Sequence, residues 1–518
     1  MRKSGFYIVS TALIVALGGF LMGFDASVIS GVVKFIEPEF NLTKLELGWA
    51  VSSLTLTSTL AMLIAGPLSD RFGRRTVLKF AALLYALSAI GSAAAPTFFT
   101  LVAARMLGGL GVGASLIIAP MYIAEISPPK MRGRMVSFNQ LNIVLGISVA
   151  FFTNYLILQL GKSDLSWAAS LKIDEWNWRW MLGLELLPAA MYFIGLFLVP
   201  RSPRWLIMRE SYDEAQSVMS RTVGPERAKS QIDVIKSTLK TAEEKKKVSV
   251  KELFAKSMKL VLLIGVVIAV LQQITGINSV FFYAPVIFEQ TGIGTDASFV
   301  QAIFVGLTNL VFTIVAILLI DKLGRKPLLI FGTIGIALAM FILAYSFNAA
   351  TYTLTKETVN DLSEQVDKVA LQPITGVTYE TDLEFKEAVY EALGEDSVKF
   401  ESELITASIH MNALLVLIGI IGFVAAFAVS LGPVMWVLFS ELFPNRLRGL
   451  AISLVGLVNS GVSFSVQLVF PWELANFGSS VTFLLYGIFA VLGLVFIVFK
   501  VPETKGKSLE EIEEALVK

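Results

Sequence analysis

The chain contains no cysteine and a single histidine, His410. That excludes a disulfide framework, a thiol nucleophile and a thiolate metal site. His410 alone offers no second imidazole for a metal, and it reads as a residue at the water interface of a helix. No cofactor and no bound metal are expected. The phosphate-cradling GxxxxGK[ST] loop is also missing. Gly506-Lys507-Ser508 lacks the earlier glycine, which argues against an ATP-driven pump. Charge is scarce: 16% of residues are Asp, Glu, Lys or Arg, where a soluble chain carries about 25%. The net charge of +1 gives no reason to expect nucleic acid as a partner.

What remains is apolar. Hydrophobic residues make up 55% of the 518, mean hydropathy is +0.72, and the apolar runs come in blocks separated by short charged loops. A bilayer core needs roughly 20 apolar residues per helical span. The pattern predicts an all-α polytopic membrane protein with twelve spans near 6–33, 45–68, 76–95, 99–124, 135–160, 178–199, 259–290, 299–320, 327–347, 409–440, 449–474 and 480–500. The lipid bilayer is thus the first partner. The first run is too long for a cleavable leader and is expected to act as its own insertion signal. Basic residues crowd the loops after spans 2, 4, 8 and 10, so those loops and both termini are expected in the cytoplasm.

The blocks divide the chain. Residues 1–200 hold six spans, 201–258 form a charged cytoplasmic linker, 259–500 hold six more, and 501–518 form a cytoplasmic tail. The second half carries an extra segment, 348–408. Between 351 and 405 it has 13 acidic and 4 basic residues. Linker and insertion both read as solvated regions with short helices.

The halves repeat each other. DRFGRR at 70–75 returns as DKLGRK at 321–326, an offset of 251 residues. Glu125-Ile126-Ser127-Pro128 returns as Glu441-Leu442-Phe443-Pro444, an offset of 316. Val199-Pro200-Arg201-Ser202 is echoed by Val501-Pro502-Glu503-Thr504. The two offsets differ by the length of an insertion, and 348–408 is where it sits. In the loops, glycine lets a helix pair turn tightly and arginine offers a planar fork for carboxylates. Asp70, Arg74, Arg75, Glu125 and Arg132, with Asp321, Arg325, Glu441 and Arg448, are therefore expected to form a cytoplasmic gate, a charge clamp joining the two halves when the cytoplasmic side is shut.

Three charges lie inside spans. Asp25 is the only charge between Lys3 and Lys34. Arg105 stands near the start of span 4 and Glu185 near the start of span 6. If span 1 starts inside and spans 4 and 6 start outside, all three reach a similar depth. Ionisable groups at such depth are costly and face a cavity or one another.

The chain resembles the sugar porters of the major facilitator superfamily, a group whose halves are related by a parallel repeat. The resemblance is carried by GFDASVISG (23–31), DRFGRR (70–75), RMLGGLGVG (105–113), PMYIAEISPPKMRG (120–133), SFNQ (137–140), RSPRWL (201–206), QQITGIN (272–278), TNLVFT (308–313), GPVMWVLFSELFP (432–444) and VPETKGKSLEEIE (501–513). It runs over nearly the whole chain apart from the insertion. It implies the major facilitator fold, two pseudo-symmetric six-helix halves, and import of a monosaccharide by proton symport through alternating access. By that similarity the sugar would be held by Gln140, Gln272, Gln273, Asn278, Asn309, Trp436 and Asn459. A carboxamide both donates and accepts, as a sugar hydroxyl does. Asp25 would couple the proton, Arg105 would be its partner and Glu185 a modulator. The resemblance implies no enzyme activity and no obligatory protein partner, and it suits a bacterial inner membrane. Other readings are a facilitative uniporter, a polyol or inositol carrier, and a non-transporting sugar sensor. In many members an acidic residue stands at the place of Arg201, and a tryptophan at the place of Ser460.

Overall fold

The computed structural model describes residues 2–128, 131–244, 250–444, 446–507 and 511–513. Among them, twelve helical stretches are long and apolar enough to span a bilayer, once the continuous run Arg448–Lys500 is divided at Gly478. Gly478 has φ 74°, a left-handed conformation that costs glycine little. It separates span 11 (448–477) from span 12 (479–500). Span 4 (Phe98–Ile126) opens on a Thr97 capping box, which satisfies its first free N–H groups. A Cβ on Gly109 would stand 2.4 Å from the Leu54 carbonyl, and one on Gly113 2.1 Å from that of Ser58. Small residues four apart let helix backbones approach this closely.

Three spans are broken in mid-course. Span 6 runs as Asn177–Gly183 and Leu186–Leu198, with Glu185 at the break. Span 7 runs as Lys259–Ile274 and Ile277–Glu289, turning at Gly276 with φ 90°. A Cβ there would lie 2.3 Å from the Tyr486 ring, so only glycine fits both the angle and the space. Span 10 runs as Ala413–Val429 and Leu431–Leu442, broken at Ser430. Broken helices free backbone groups inside the bundle, and these need partners there.

The chain forms two compact units. Unit 1 comprises Met1–Ser27, Ser53–Ala150 and Arg179–Val250, and unit 2 comprises Val28–Ser52, Phe151–Trp178 and Lys251–Lys518. Within unit 2 the ends of spans 1, 2 and 5 pair with the C-terminal spans. Lys34 donates to Glu289 at 2.6 Å, and Lys162 to Asp296 at 2.6 Å. A Cβ on Gly48 would stand 1.9 Å from the Leu468 carbonyl.

Both expected solvated regions are more ordered than that reading. The linker's helices Pro203–Met208, Tyr212–Val223 and Pro225–Glu244 bury Leu206, Ile207, Val218, Met219 and Ile232 in the core of unit 1. The insertion folds around its own core of Tyr352, Leu354, Leu371, Phe385, Leu404 and Ile405. It has short helices and a sheet in which β1 (Thr351–Thr353) lies between β2 (Thr378–Tyr379) and β3 (Ile409–His410), antiparallel to both. The net acidity masks the reason: apolar residues at helical and strand spacings line one side of each short element. Glu401 ties the insertion down by ion pairs to Lys386 at 3.0 Å and to Lys44, at the start of span 2, at 3.4 Å. Burial would raise the Glu401 carboxyl, but the Lys386 and Lys44 ammonium groups outweigh it and hold it at about 2.

Candidate functional site

Unit 1 carries the charges. Asp25 and Arg105 are each 1% exposed and Glu185 2%. Arg105 Nη1 stands 3.4 Å from Asp25 Oδ1, a long contact for an ion pair. Asp25 Oδ2 and Glu185 Oε1 are buried and make no hydrogen bond. Glu185 faces both Asp25 and Arg105. Spans 1 and 4 meet here because of Gly108, where a Cβ would lie 2.5 Å from Ser88 Oγ and 2.8 Å from Asp25 Oδ2. Glu185 is free to face the pair because it sits at the span 6 break. Two carboxylates and one guanidinium in a dry interior leave a net negative charge, which a single proton cancels.

Unit 2 carries the amides, and they form one hydrogen-bonded network. Gln272 Nε2 donates to the Leu431 carbonyl at 2.9 Å, at the start of the second helix of span 10. Gln273 Nε2 donates to Gln272 Oε1 and to Asn459 Oδ1, both at 3.1 Å. Asn278 Nδ2 donates to Gln273 Oε1 at 2.8 Å and to Ser463 Oγ at 2.6 Å. Asn459 Nδ2 donates to Gln272 Oε1 at 2.8 Å and to the Ala269 carbonyl at 2.9 Å. Gln467 Nε2 extends the chain to Ser463 Oγ at 2.7 Å. The break at Thr275-Gly276 brings Asn278 back toward Gln273. Ser463 and Gln467 were not among the residues expected from sequence, although Asn459, Ser463 and Gln467 follow one another at intervals of four on one helix face.

The remaining expected ligands are placed separately. Asn309 is 7% exposed on span 8. Trp436, on the second half of span 10, is 47% exposed and meets Phe439 edge to face. Gln140, on span 5, is exposed.

The ion pairs of these loops close within each half. Arg74 meets Glu125 at 3.1 Å and Asp70 at 2.7 Å. Ser202 Oγ donates to the same Glu125. In the second half Arg325 meets Glu441 at 2.8 Å, and Thr504 Oγ1 donates to that Glu441 at 2.6 Å. The reason is local: Gly73 and Gly324, with φ 92° and 99°, start the next helix so that the first arginine points at its own half's carboxylate. Arg75 donates to the Val199 carbonyl at 2.9 Å. Arg448 donates to the Phe443 carbonyl at 3.1 Å instead of reaching Glu441. The side chains of Arg132 and Asp321 lie outside the described residues. Arg201, where an acidic residue is common, pairs with Glu214 at 3.3 Å. Its counterpart Glu503 accepts the backbone N–H groups of Arg325 and Lys326 at 3.1 and 3.0 Å. Burial raises the Glu503 carboxyl, and these N–H groups, with those of Lys505 and Thr504, more than reverse that and lower it.

The chain is similar to known proteins over nearly its whole length. The chain is 34% identical to the arabinose-proton symporter of Bacillus subtilis, over 99% of this chain and 96% of that protein. It is 34% identical to the D-xylose-proton symporter of Escherichia coli, over 98% of this chain and 95% of that one. Its structure superposes on the inward-open conformation of the E. coli xylose transporter XylE with a TM-score of 0.73, at 33% identity, over 99% of this chain and 100% of that one. The family model described as sugar (and other) transporter matches residues 11–364 and 402–516, leaving out part of the insertion. This integral, multi-pass membrane chain, with its two six-span halves of the major facilitator fold, belongs to the sugar transporter family and not to a family of enzymes.

Proposed function

We propose that the chain is a secondary active transporter that imports a monosaccharide, a hexose or a pentose, by proton symport through alternating access. One observation carries the reading: a carboxylate with an unpartnered oxygen is buried beside a guanidinium inside a span, in a different unit from a neutral network suited to hydroxyls. Outside protons neutralise Asp25 and loosen its hold on Arg105. Sugar engages Gln272, Gln273, Asn278 and Asn459, with Gln140, Asn309 and Trp436 completing the cradle, and the loaded carrier opens inward. Glu185, facing both members of the pair, modulates the exchange. A potential of 100 mV supplies about 2.3 kcal/mol per proton, which supports roughly fiftyfold accumulation. The relatives named arabinose- and xylose-proton symporters support the substrate class. The chain works in a bacterial inner membrane with both termini cytoplasmic and needs no obligatory protein partner. On that orientation the Arg74–Glu125 and Arg325–Glu441 clamps face the cytoplasm, and rearrange when that side shuts.

The test is uptake of labelled glucose, galactose and xylose into proteoliposomes, with and without an outside-acid gradient. Concentrative uptake that collapses with a protonophore is the expected result. Uptake that only equilibrates, whatever the gradient, would make the chain a facilitator in which the 3.4 Å Asp25–Arg105 contact is a structural pair.

A further inference from the structure

Unit 1 buries more unpartnered polar atoms than the charge cluster accounts for. Tyr85 on span 3, Ser115 on span 4 and Tyr192 on span 6 are buried, and none of their hydroxyls makes a hydrogen bond of normal geometry. Buried tyrosine hydroxyls ordinarily find a partner. Here two of them share one place with the Ser115 hydroxyl. Ser115 Oγ faces both phenols. Tyr85 also faces Asp25, Glu185 and Tyr192. Gly18 on span 1 lets them pack close: a Cβ there would stand 2.7 Å from Tyr192 Oη and 3.2 Å from Ser115 Cβ.

Chain direction gives the cluster an axis. Gly18 precedes Asp25 by about two turns, Ser115 follows Arg105 by about three, and Tyr192 follows Glu185 by about two. Counted as helix rise along spans 1, 4 and 6, the backbones of Gly18, Ser115 and Tyr192 lie roughly 10–15 Å from those of the charges, toward the end where Glu125 meets Arg74. One further step that way, Tyr122 Oη donates to the Pro200 carbonyl at 2.8 Å. A hydroxyl both donates and accepts, so closely spaced hydroxyls can pass a proton from one to the next.

We propose that Tyr85, Ser115 and Tyr192 form a hydroxyl proton relay inside the N-terminal half, which carries the proton released by Asp25 toward the Glu125 end without entering the sugar path. The proposal rests on the reading of Asp25 as the proton-coupling group. Each hydroxyl takes a proton on its oxygen as it passes its own onward. The net change is one proton moved from the Asp25 carboxyl to the water beyond, with Asp25 left as the carboxylate facing Arg105. Sugar and proton then leave by separate routes, so the amide network is never asked to conduct.

The experiment uses the full chain in proteoliposomes with an entrapped pH-sensitive dye, and xylose, glucose or galactose, whichever the uptake assay selects. Two rates are read: proton entry on sugar addition, and exchange of labelled for unlabelled sugar at equal concentrations. Tyr192→Phe and Ser115→Ala are expected to slow proton entry about tenfold, the scale of one lost charge-assisted hydrogen bond, with exchange at the wild-type rate. Tyr85→Phe should do the same, and Gly18→Ala, which displaces the Tyr192 hydroxyl without removing it, should mimic Tyr192→Phe. Wild-type proton entry in all four variants overturns the relay and leaves proton coupling standing. An equal fall of proton entry and exchange overturns it too, because the hydroxyls are then structural. A wild-type chain that admits no proton with sugar overturns the coupling reading and the relay together.

Discussion

The two halves share their loop machinery and differ in their interiors. In each, an arginine one step past a left-handed glycine grips a carboxylate at a helix end, and a hydroxyl from a Val-Pro segment completes the grip. Inside, the N-terminal half buries a carboxylate, a guanidinium and a second carboxylate, with free acceptor atoms. The C-terminal half buries carboxamides whose hydrogen bonds are largely satisfied by one another. Duplication supplied the frame twice. A charged interior responds to protons and membrane potential; a neutral one offers donors and acceptors at little desolvation cost. On the proposed function, energy coupling belongs to one half and most of the recognition to the other.

The largest effect should come from removing the ionisable group while keeping its shape. Asp25→Asn is expected to abolish proton-driven accumulation, bringing a ratio of roughly fiftyfold down to equilibration. Exchange of labelled for unlabelled sugar should survive. Accumulation ratios measured with and without an imposed gradient check this. Normal accumulation by the variant would end the division of labour between the halves.

A smaller effect is expected in the amide half. Gln273 sits at the centre of the network, donating to Gln272 and Asn459 and accepting from Asn278. Gln273→Ala leaves buried partners unsatisfied, at a cost of about 1–3 kcal/mol. The KM for sugar in exchange should rise by roughly 10- to 100-fold, while the pH profile of transport keeps its midpoint. A shifted midpoint would mean that the two interiors are not separate in function.

Much of this comparison was legible in the sequence, for a physical reason: a charge inside an apolar span is expensive, so Asp25, Arg105 and Glu185 announce themselves, and span direction alone levels them. The loop repeats announced the two halves. The amides were legible only through resemblance, since one buried Gln or Asn serves equally well to hold two helices together. Ser463 and Gln467 escaped because serine is unremarkable in a span, though their spacing from Asn459 was readable. The helix breaks at Glu185 and Ser430 escaped because hydropathy is blind to a local turn. The partner of each loop arginine escaped because sequence shows which charges lie near a loop, not which way the following helix points. The insertion's core escaped because its excess of acidic residues hides a minority of well-spaced apolar ones.

The smallest effect belongs to Glu401, and it sharpens the comparison by locating a carboxylate that does not sense transport pH. Its folded pKa of about 2 lies below the 4.5 of an unperturbed glutamate. Its ionised form therefore adds stability that is fully present above about 4.5 and fades as pH falls toward about 2. Across the pH 5–8 range of a transport assay that contribution is constant. Glu401→Gln weakens the ties to Lys44 and Lys386, and thermal unfolding at neutral pH should register a loss of about 1 kcal/mol, the upper end for partly exposed pairs. Uptake by this variant should trace the wild-type pH profile from 5 to 8. If the profile moved instead, the pH sensitivity would belong to the insertion's grip on span 2, and the charged interior of the N-terminal half would lose its claim to be the only coupling device.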